Sequence, residues 1–318
     1  MTSFASPPAR STDDMLFGCN GTRRLVREAR GTRRDSLKFK FLMWETNANE
    51  ITHCPDILSS LPQYAGARDV PPLLHRIWEC ANIPDRYEKD IMSWIDEADG
   101  MFVFLWTRKV RETFINKTLG PGHLGLYNRL LPGAYRADLF RYIVMYYVGG
   151  VYSDVDSHLH LNLRKVGYLL NGITLAVDID AKRLLNGAIL MSAQKQAIFL
   201  CAIGEVFDHS EHRLYFDSDL DISGPGILGE CLRHILGKDD MIYDQKTAIE
   251  ISSLGVHLLK SKFSDDGCHV VTLNDTRVFI SLQPGGEAYD RTVRGECDPG
   301  GHYSVMYREK RVYNNRSF

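Results

Sequence analysis

Apolar positions along the chain follow two rhythms. From about Pro72, short apolar runs of strand length alternate with stretches in which apolar residues recur every three or four positions. "LLHRIW" reads as a buried strand, and "PDRYEKDIMSWIDEA" as a helix with Ile91, Trp94 and Ile95 at helical spacing. "MFVFLW" is a second buried strand, followed by a polar helical segment and by "GPGHLG", which reads as a loop. "GAYRADLFRYIVMYYVGG" predicts a helix that starts near Gly133 and is stopped by Gly149–Gly150. A short strand follows at once. Later strands are expected at "ITLAVDI", "GAILMSA", "GVHLLKS", "HVVTLN" and "RVFISL", with helices around Gln196–Phe207 and Ile227–Leu236. Strands alternating with helices through the first half predict an α/β fold whose central sheet is mainly parallel and covered by helices.

Residues 1–70 do not share these rhythms. They read as an N-terminal extension and linker, with a basic piece, "TRRLVREARGTRRDSLKFKF", and prolines that punctuate the approach to a domain spanning 71–318. The 318 residues are enough for a large core, and a net charge of −2 offers nothing to nucleic acid. No apolar run reaches transmembrane length and the first residues lack the apolar core of a signal peptide. The expectation is a cytoplasmic protein without an integral membrane segment. Seven dispersed cysteines with no CxxC pair point the same way, to reduced thiols rather than a zinc site.

The chemistry is concentrated in "GGVYSDVDSHLHL", residues 149–161. On a strand Asp154 and Asp156 point to one side and Val155 to the other. Two like charges this close need a divalent cation, a basic side chain or open water beside them. On the preceding helix Asp138 and Arg141 are three residues apart and share a face, while Leu139, Phe140, Ile143 and Val144 turn inward. Within nineteen residues the chain thus brings together an acid, a base, a tight glycine turn, an aromatic at Tyr152 and an acid pair able to hold a metal. Hard carboxylate oxygens that bind a divalent ion commonly share it with substrate phosphates, so the pattern asks for a diphosphate-bearing ligand.

"ADLFRYIVMYYVGGVYSDVD" resembles the signature of DXD-containing glycosyltransferases of the GT-A type, a Rossmann-like fold for nucleotide-diphospho-sugars. The group it resembles is family 32, with fungal α-1,6-mannosyltransferases and α-1,4-galactosyltransferases, and the related catalytic domains of clostridial toxins. "PPLLHRIW" resembles that family's opening strand, and "NGAILMSA" and "SGPGIL" its later asparagine-bearing strand and T-G-P segment. The resemblance implies transfer of a sugar from a UDP- or GDP-linked donor to a glycan or other hydroxyl acceptor, with retention of configuration. It implies Mn²⁺ or Mg²⁺ on Asp154 and Asp156, and donor contacts from Asp138, Arg141, Asp154 and Tyr152, with His75 and Trp78 where the first strand meets the nucleotide. Relatives often add a further metal ligand near the carboxyl end, for which "GGHYSVMY" offers His302, with Ser304 beside it. Ala137 stands where the family has a serine.

Two other readings compete. A GT-A-like protein could bind sugar nucleotide without turnover. A haloacid-dehalogenase-type phosphatase also uses D-x-D after a strand, but continues into Thr or Val where this chain has Ser157. Asp217, Asp219 and Asp221 read as a solvated loop, His158 and His160 as the exposed face of a continuing strand, and Asp178 and Asp180 as the end of a strand, with Asp180 the one the resemblance turns to the cleft.

Overall fold

The computed structural model describes residues 70–79, 87–97, 101–179, 185–265, 268–273, 277–282 and 302–314. The expected extension therefore lies outside the described residues, apart from Val70. Nine strands join one sheet in the order β2-β1-β3-β6-β5-β7-β8-β9-β4. They are β1 (Leu73–Ile77), β2 (Phe102–Trp106), β3 (Gly150–Ser153), β4 (Ser157–Leu159), β5 (Ile173–Val177), β6 (Leu185–Ser192), β7 (Val256–Phe263), β8 (His269–Leu273) and β9 (Arg277–Leu282). The helices are α1 (Glu88–Glu97), α2 (Arg108–Leu119), α3 (Pro121–Arg129), α4 (Gly133–Tyr147), α5 (Ala197–His212), α6 (Pro225–Leu236), α7 (Gln245–Ser252) and α8 (Tyr303–Arg308).

The α/β class is as expected, but the mainly parallel sheet needs correction. Parallel pairing joins β2, β1 and β3, and again β5 to β7, while the other five pairs are antiparallel. β5–β6, β7–β8 and β8–β9 follow one another through connections too short for a crossover helix, and such neighbours pair antiparallel. "GPGHLG" is not a loop: Pro121 opens α3, where its fixed φ suits the first helical turn, and Gly120 at φ 89° makes the corner before it.

The strand order also shapes the sheet. β3 and β4 stand six strand spacings apart, roughly 29 Å if the sheet were flat. Only Asp154–Asp156 separate them in sequence, a link that reaches at most about 14 Å. The sheet must therefore curl until its last strand, β4, returns to β3, and the Ser153 and Ser157 hydroxyls touch across the join. One apolar cluster, including Val151, Ala176, Ile189, Met191, Leu259, Val271 and Phe279, fills the inside of the curl. A larger one packs α4, α5 and α6 on the outside. The registers place the C-terminal ends of β3, β5, β7 and β9 and the N-terminal ends of β4, β6 and β8 along one rim. The acid pair sits on that rim.

Cys201 of α5 and Cys231 of α6 form a disulfide with Cα atoms 5.8 Å apart, which corrects the expectation of reduced thiols throughout. Dispersed spacing hid it, since the partners meet only through helix packing. The basis for a cytosol-like compartment goes with it. Among the described residues no helix is long and apolar enough to cross a membrane.

Candidate active site

Gly149 and Gly150 turn the chain from α4 into β3 with φ of 69° and 113°. A Cβ on Gly150 would lie 2.5 Å from the Leu73 carbonyl oxygen, so a side chain there would push β1 and β3 apart. His75 secures this turn. Its Nε2–H donates to the Gly149 carbonyl at 2.8 Å and its Nδ1 accepts from the Trp106 indole at 3.1 Å. The ring is fully buried, and burial brings its pKa down to about 4. The expected donor contact by His75 is therefore corrected: both ring nitrogens are spent inside the protein. Trp78 is also in the core, 5% exposed and edge-to-face with Tyr87 at 5.4 Å.

Arg141 is the hub of the site. Its guanidinium pairs with Asp138 Oδ1 at 2.7 Å, stands 3.5 Å from Asp154 Oδ1, donates to the Gly187 carbonyl at 2.5 Å and lies 4.9 Å above the Tyr152 ring. Gly187 leaves room for this, because a Cβ there would come within 2.5 Å of Arg141 Nη1. The other Asp138 oxygen accepts from Ser223 Oγ at 2.9 Å. Ala137 packs against the core, so the hydroxyl on this aspartate comes from a different element, the turn before α6. Burial raises the Asp138 pKa, the Arg141 charge and Ser223 oppose the rise, and Asp154 adds to it. Tyr152 donates from its hydroxyl to Asp154 Oδ1 at 2.5 Å.

Asp156 has different surroundings. Its carboxyl is pushed up to about 7, first by burial and then by the Asp154 charge. Arg76 is the nearest source of relief, but its guanidinium donates to the carbonyls of Asp154 and Val155 at 3.1 and 3.2 Å. Trp94 donates to the Ser157 carbonyl at 3.0 Å. Arg76 and Trp94 thus hold the acid turn by its backbone. Sequence reasoning missed both, although a lone arginine inside the apolar run "LLHRIW" is a readable signal, since a buried guanidinium needs several acceptors.

Among the described residues no three His, Cys, Asp or Glu side chains gather into a cluster able to hold a metal. His302 does not join Asp154 and Asp156 in one. It caps α8, its Nδ1 accepting from the Ser304 amide at 3.3 Å and its ring stacking on Tyr303. Asp219–Asp221 form a 3-10 turn, Asp178 ends β5, and Asp180 lies outside the described residues.

A strand-helix-strand unit thus delivers an arginine-carboxylate pair and an acid-x-acid turn to one rim. Residues 84–170 match the family described as glycosyltransferase sugar-binding region containing DXD motif. That stretch includes Asp138, Arg141, Asp154 and Asp156. The chain is similar to inositol phosphoceramide mannosyltransferase 2 of Schizosaccharomyces pombe, 29% identical over 35% of this chain and 32% of the relative. Inositol phosphoceramide mannosyltransferase 3 of the same yeast is 32% identical over 27% and 24%. Mannosyl phosphorylinositol ceramide synthase CSH1 of Saccharomyces cerevisiae is 29% identical over 28% and 23%. The matched stretch spans a third or less of these relatives' length. Among solved structures, the PaToxG glycosyltransferase aligns at TM-score 0.43 and 13% identity over 57% of this chain and 77% of its own. The ligand-free glycosyltransferase domain of the YGT toxin aligns at 0.40 and 8%, over 60% and 80%.

Proposed function

We propose that the chain transfers a hexose, with mannose the first candidate from the names of its relatives, from a GDP- or UDP-linked donor to a hydroxyl acceptor. The observation that carries this reading is the Arg141 hub, which ties Asp138, Asp154 and Gly187 together beside an acid whose pKa burial and the Asp154 charge raise. Asp138 would accept hydrogen bonds from donor-sugar hydroxyls, and Arg141 would sit at the link between sugar and phosphate. Asp154 is held by Tyr152 and Arg141, which makes it a poor nucleophile and speaks against phosphatase chemistry.

Asp156, with Asp154 beside it, fits a divalent ion of the Mn²⁺ or Mg²⁺ kind. Such ions need only one or two protein carboxylates when substrate phosphates complete the shell. When bound, the ion supplies positive charge to the departing diphosphate. The stereochemistry we assign is retention. His302, one of the candidates for an inverting base, serves as a helix cap. An α-linked product from an α-linked donor, read from the anomeric proton coupling, is the expected result, and a β-linked product overturns it.

Metal and pH are linked through Asp156. A carboxyl whose folded pKa is raised to about 7 holds its proton longer in the folded than in the unfolded chain. Metal-free stability therefore falls as pH rises from the ordinary carboxylate range to about 7. Mn²⁺ should raise the melting temperature at pH 8 and do so much less at pH 5.5. Asp156→Asn should be more stable than the wild type at pH 8 without metal and show no Mn²⁺ shift. Differential scanning fluorimetry decides; an undiminished Mn²⁺ shift in Asp156→Asn contradicts the assignment.

A further inference from the structure

Beyond the Arg141 hub, the rim carries a second group of side chains. Along β7, Leu259 belongs to the inner core, and Ser261 and Phe263 follow it on the same face. Along β8, His269 shares a face with Val271 and Leu273 of that core. His269 and Phe263 are register partners with ring centroids 6.2 Å apart. Asn186 Nδ2 approaches His269 Nε2 at 3.5 Å from β6, and Asp178 stands one residue past the end of β5. The apolar inside of the curled sheet thus becomes polar at the rim.

Two features are unusual for a merely structural edge. Phe263 is 58% exposed, an aromatic face open to solvent beside hydrogen-bonding groups. Ser261 is 5% exposed, and its hydroxyl finds no hydrogen-bond partner among the described residues. Ser261 and Asp178 both line a cavity of about 490 Å³ between β5, β7, β8 and α7.

We propose that Asp178, Asn186, Phe263 and His269 bind the acceptor, and that the acceptor presents a hydroxyl-rich ring, a sugar or a cyclic polyol. A carboxylate and an amide hydrogen-bond hydroxyl groups in both directions. The exposed phenyl face suits the apolar C–H face of such a ring. Burial lowers the His269 pKa and the Asp178 charge opposes this, so at neutral pH the ring is an uncharged partner. The four groups include no arginine, so hydroxyls rather than a phosphate are their target. They share the rim with the acid pair, and Asn186 is the chain neighbour of Gly187, whose carbonyl holds Arg141.

The assignment rests on the transferase reading, and the test separates the two. Methyl α-mannopyranoside and myo-inositol are offered to the full chain in the presence of GDP and Mn²⁺, and saturation-transfer NMR reads their ring protons; inorganic phosphate is followed by ³¹P line width. Wild-type protein should saturate a polyol, and His269→Ala, Phe263→Ala and Asp178→Asn should each cut the effect roughly fivefold or more, the loss of about one net contact. The same variants should bind GDP as the wild type does, which also shows that they are folded. Undiminished saturation in the variants, no polyol saturation of the wild type, or phosphate binding in place of the polyols overturns the acceptor assignment. Failure of both GDP and UDP, offered in turn, to bind the wild type overturns the donor reading instead.

Discussion

Arg141→Gln lowers kcat/KM for sugar transfer by at least about two orders of magnitude, some 2.7 kcal/mol in transition-state stabilisation. One guanidinium connects Asp138, Asp154, the Gly187 carbonyl and the Tyr152 ring. Without it Asp138 keeps Ser223 alone, and the two carboxylates face each other with no charge between them. Glutamine cannot make the forked contacts, and Arg141→Lys should recover less than a tenth of the lost activity because an ammonium has no second arm. Gly187→Ala gives an independent check. The new methyl would displace Arg141 without removing its charge, so activity should fall while the melting temperature moves less than in Arg141→Gln. Steady-state kinetics with thermal melts measures both; an Arg141→Gln protein within tenfold of wild type contradicts the role given to this residue.

The largest stability loss is expected elsewhere, at Glu79. This buried carboxylate closes β1 and pairs with Arg111 of α2 and, at 3.1 Å, with Arg136 of α4. Burial would push its pKa up, yet the two guanidiniums hold it below the usual value. Arg136 also donates to the carbonyls of Leu130 and Leu131 at 2.9 and 2.7 Å, so the cluster fixes the entry of the helix that carries Asp138 and Arg141. Glu79→Gln takes the paired carboxylate from buried Arg111 and one of the contacts from Arg136, at a cost of roughly 3–5 kcal/mol. Glu112→Gln, which breaks the exposed pair with Arg108, should cost below about 1 kcal/mol. Because the folded pKa of Glu79 is depressed, its contribution is present above the ordinary carboxylate range and is lost as pH falls through and below it. Urea unfolding at pH 7 and pH 4 tests this; a loss for Glu79→Gln as small as that for Glu112→Gln would refute it.

How far the sequence reached depends on the range of the interactions involved. α4, the glycine pair and β3 were readable because local rules set them: apolar spacing, a helix-stopping Gly-Gly and strand alternation. So were the shared face of Asp138 and Arg141 and their nearness to Asp154. What was hidden came from contacts between distant segments. Strand direction depends on the connections around the sheet, so the antiparallel half escaped, as did the curl that brings β3 back to β4. Arg76, Ser223 and Gly187 serve the acid turn and the hub from other strands and turns, and His75 turned inward because Trp106 and Gly149 occupy both its nitrogens. His302 was judged by residue type, whereas its place in the fold is a helix cap.

Release of nucleoside diphosphate from GDP-mannose and from a set of UDP-hexoses tests the central claim most directly, compared with Mn²⁺ and with excess EDTA, for wild type and Asp156→Ala. Loss of one of two crowded carboxylates leaves the fold intact, so the variant is a fair comparison. The account predicts release by the wild type from at least one donor, only with metal, and release indistinguishable from the protein-free blank for Asp156→Ala. Equal release by Asp156→Ala, or wild-type release that survives EDTA, would contradict a metal-assisted transfer at Asp154–Asp156.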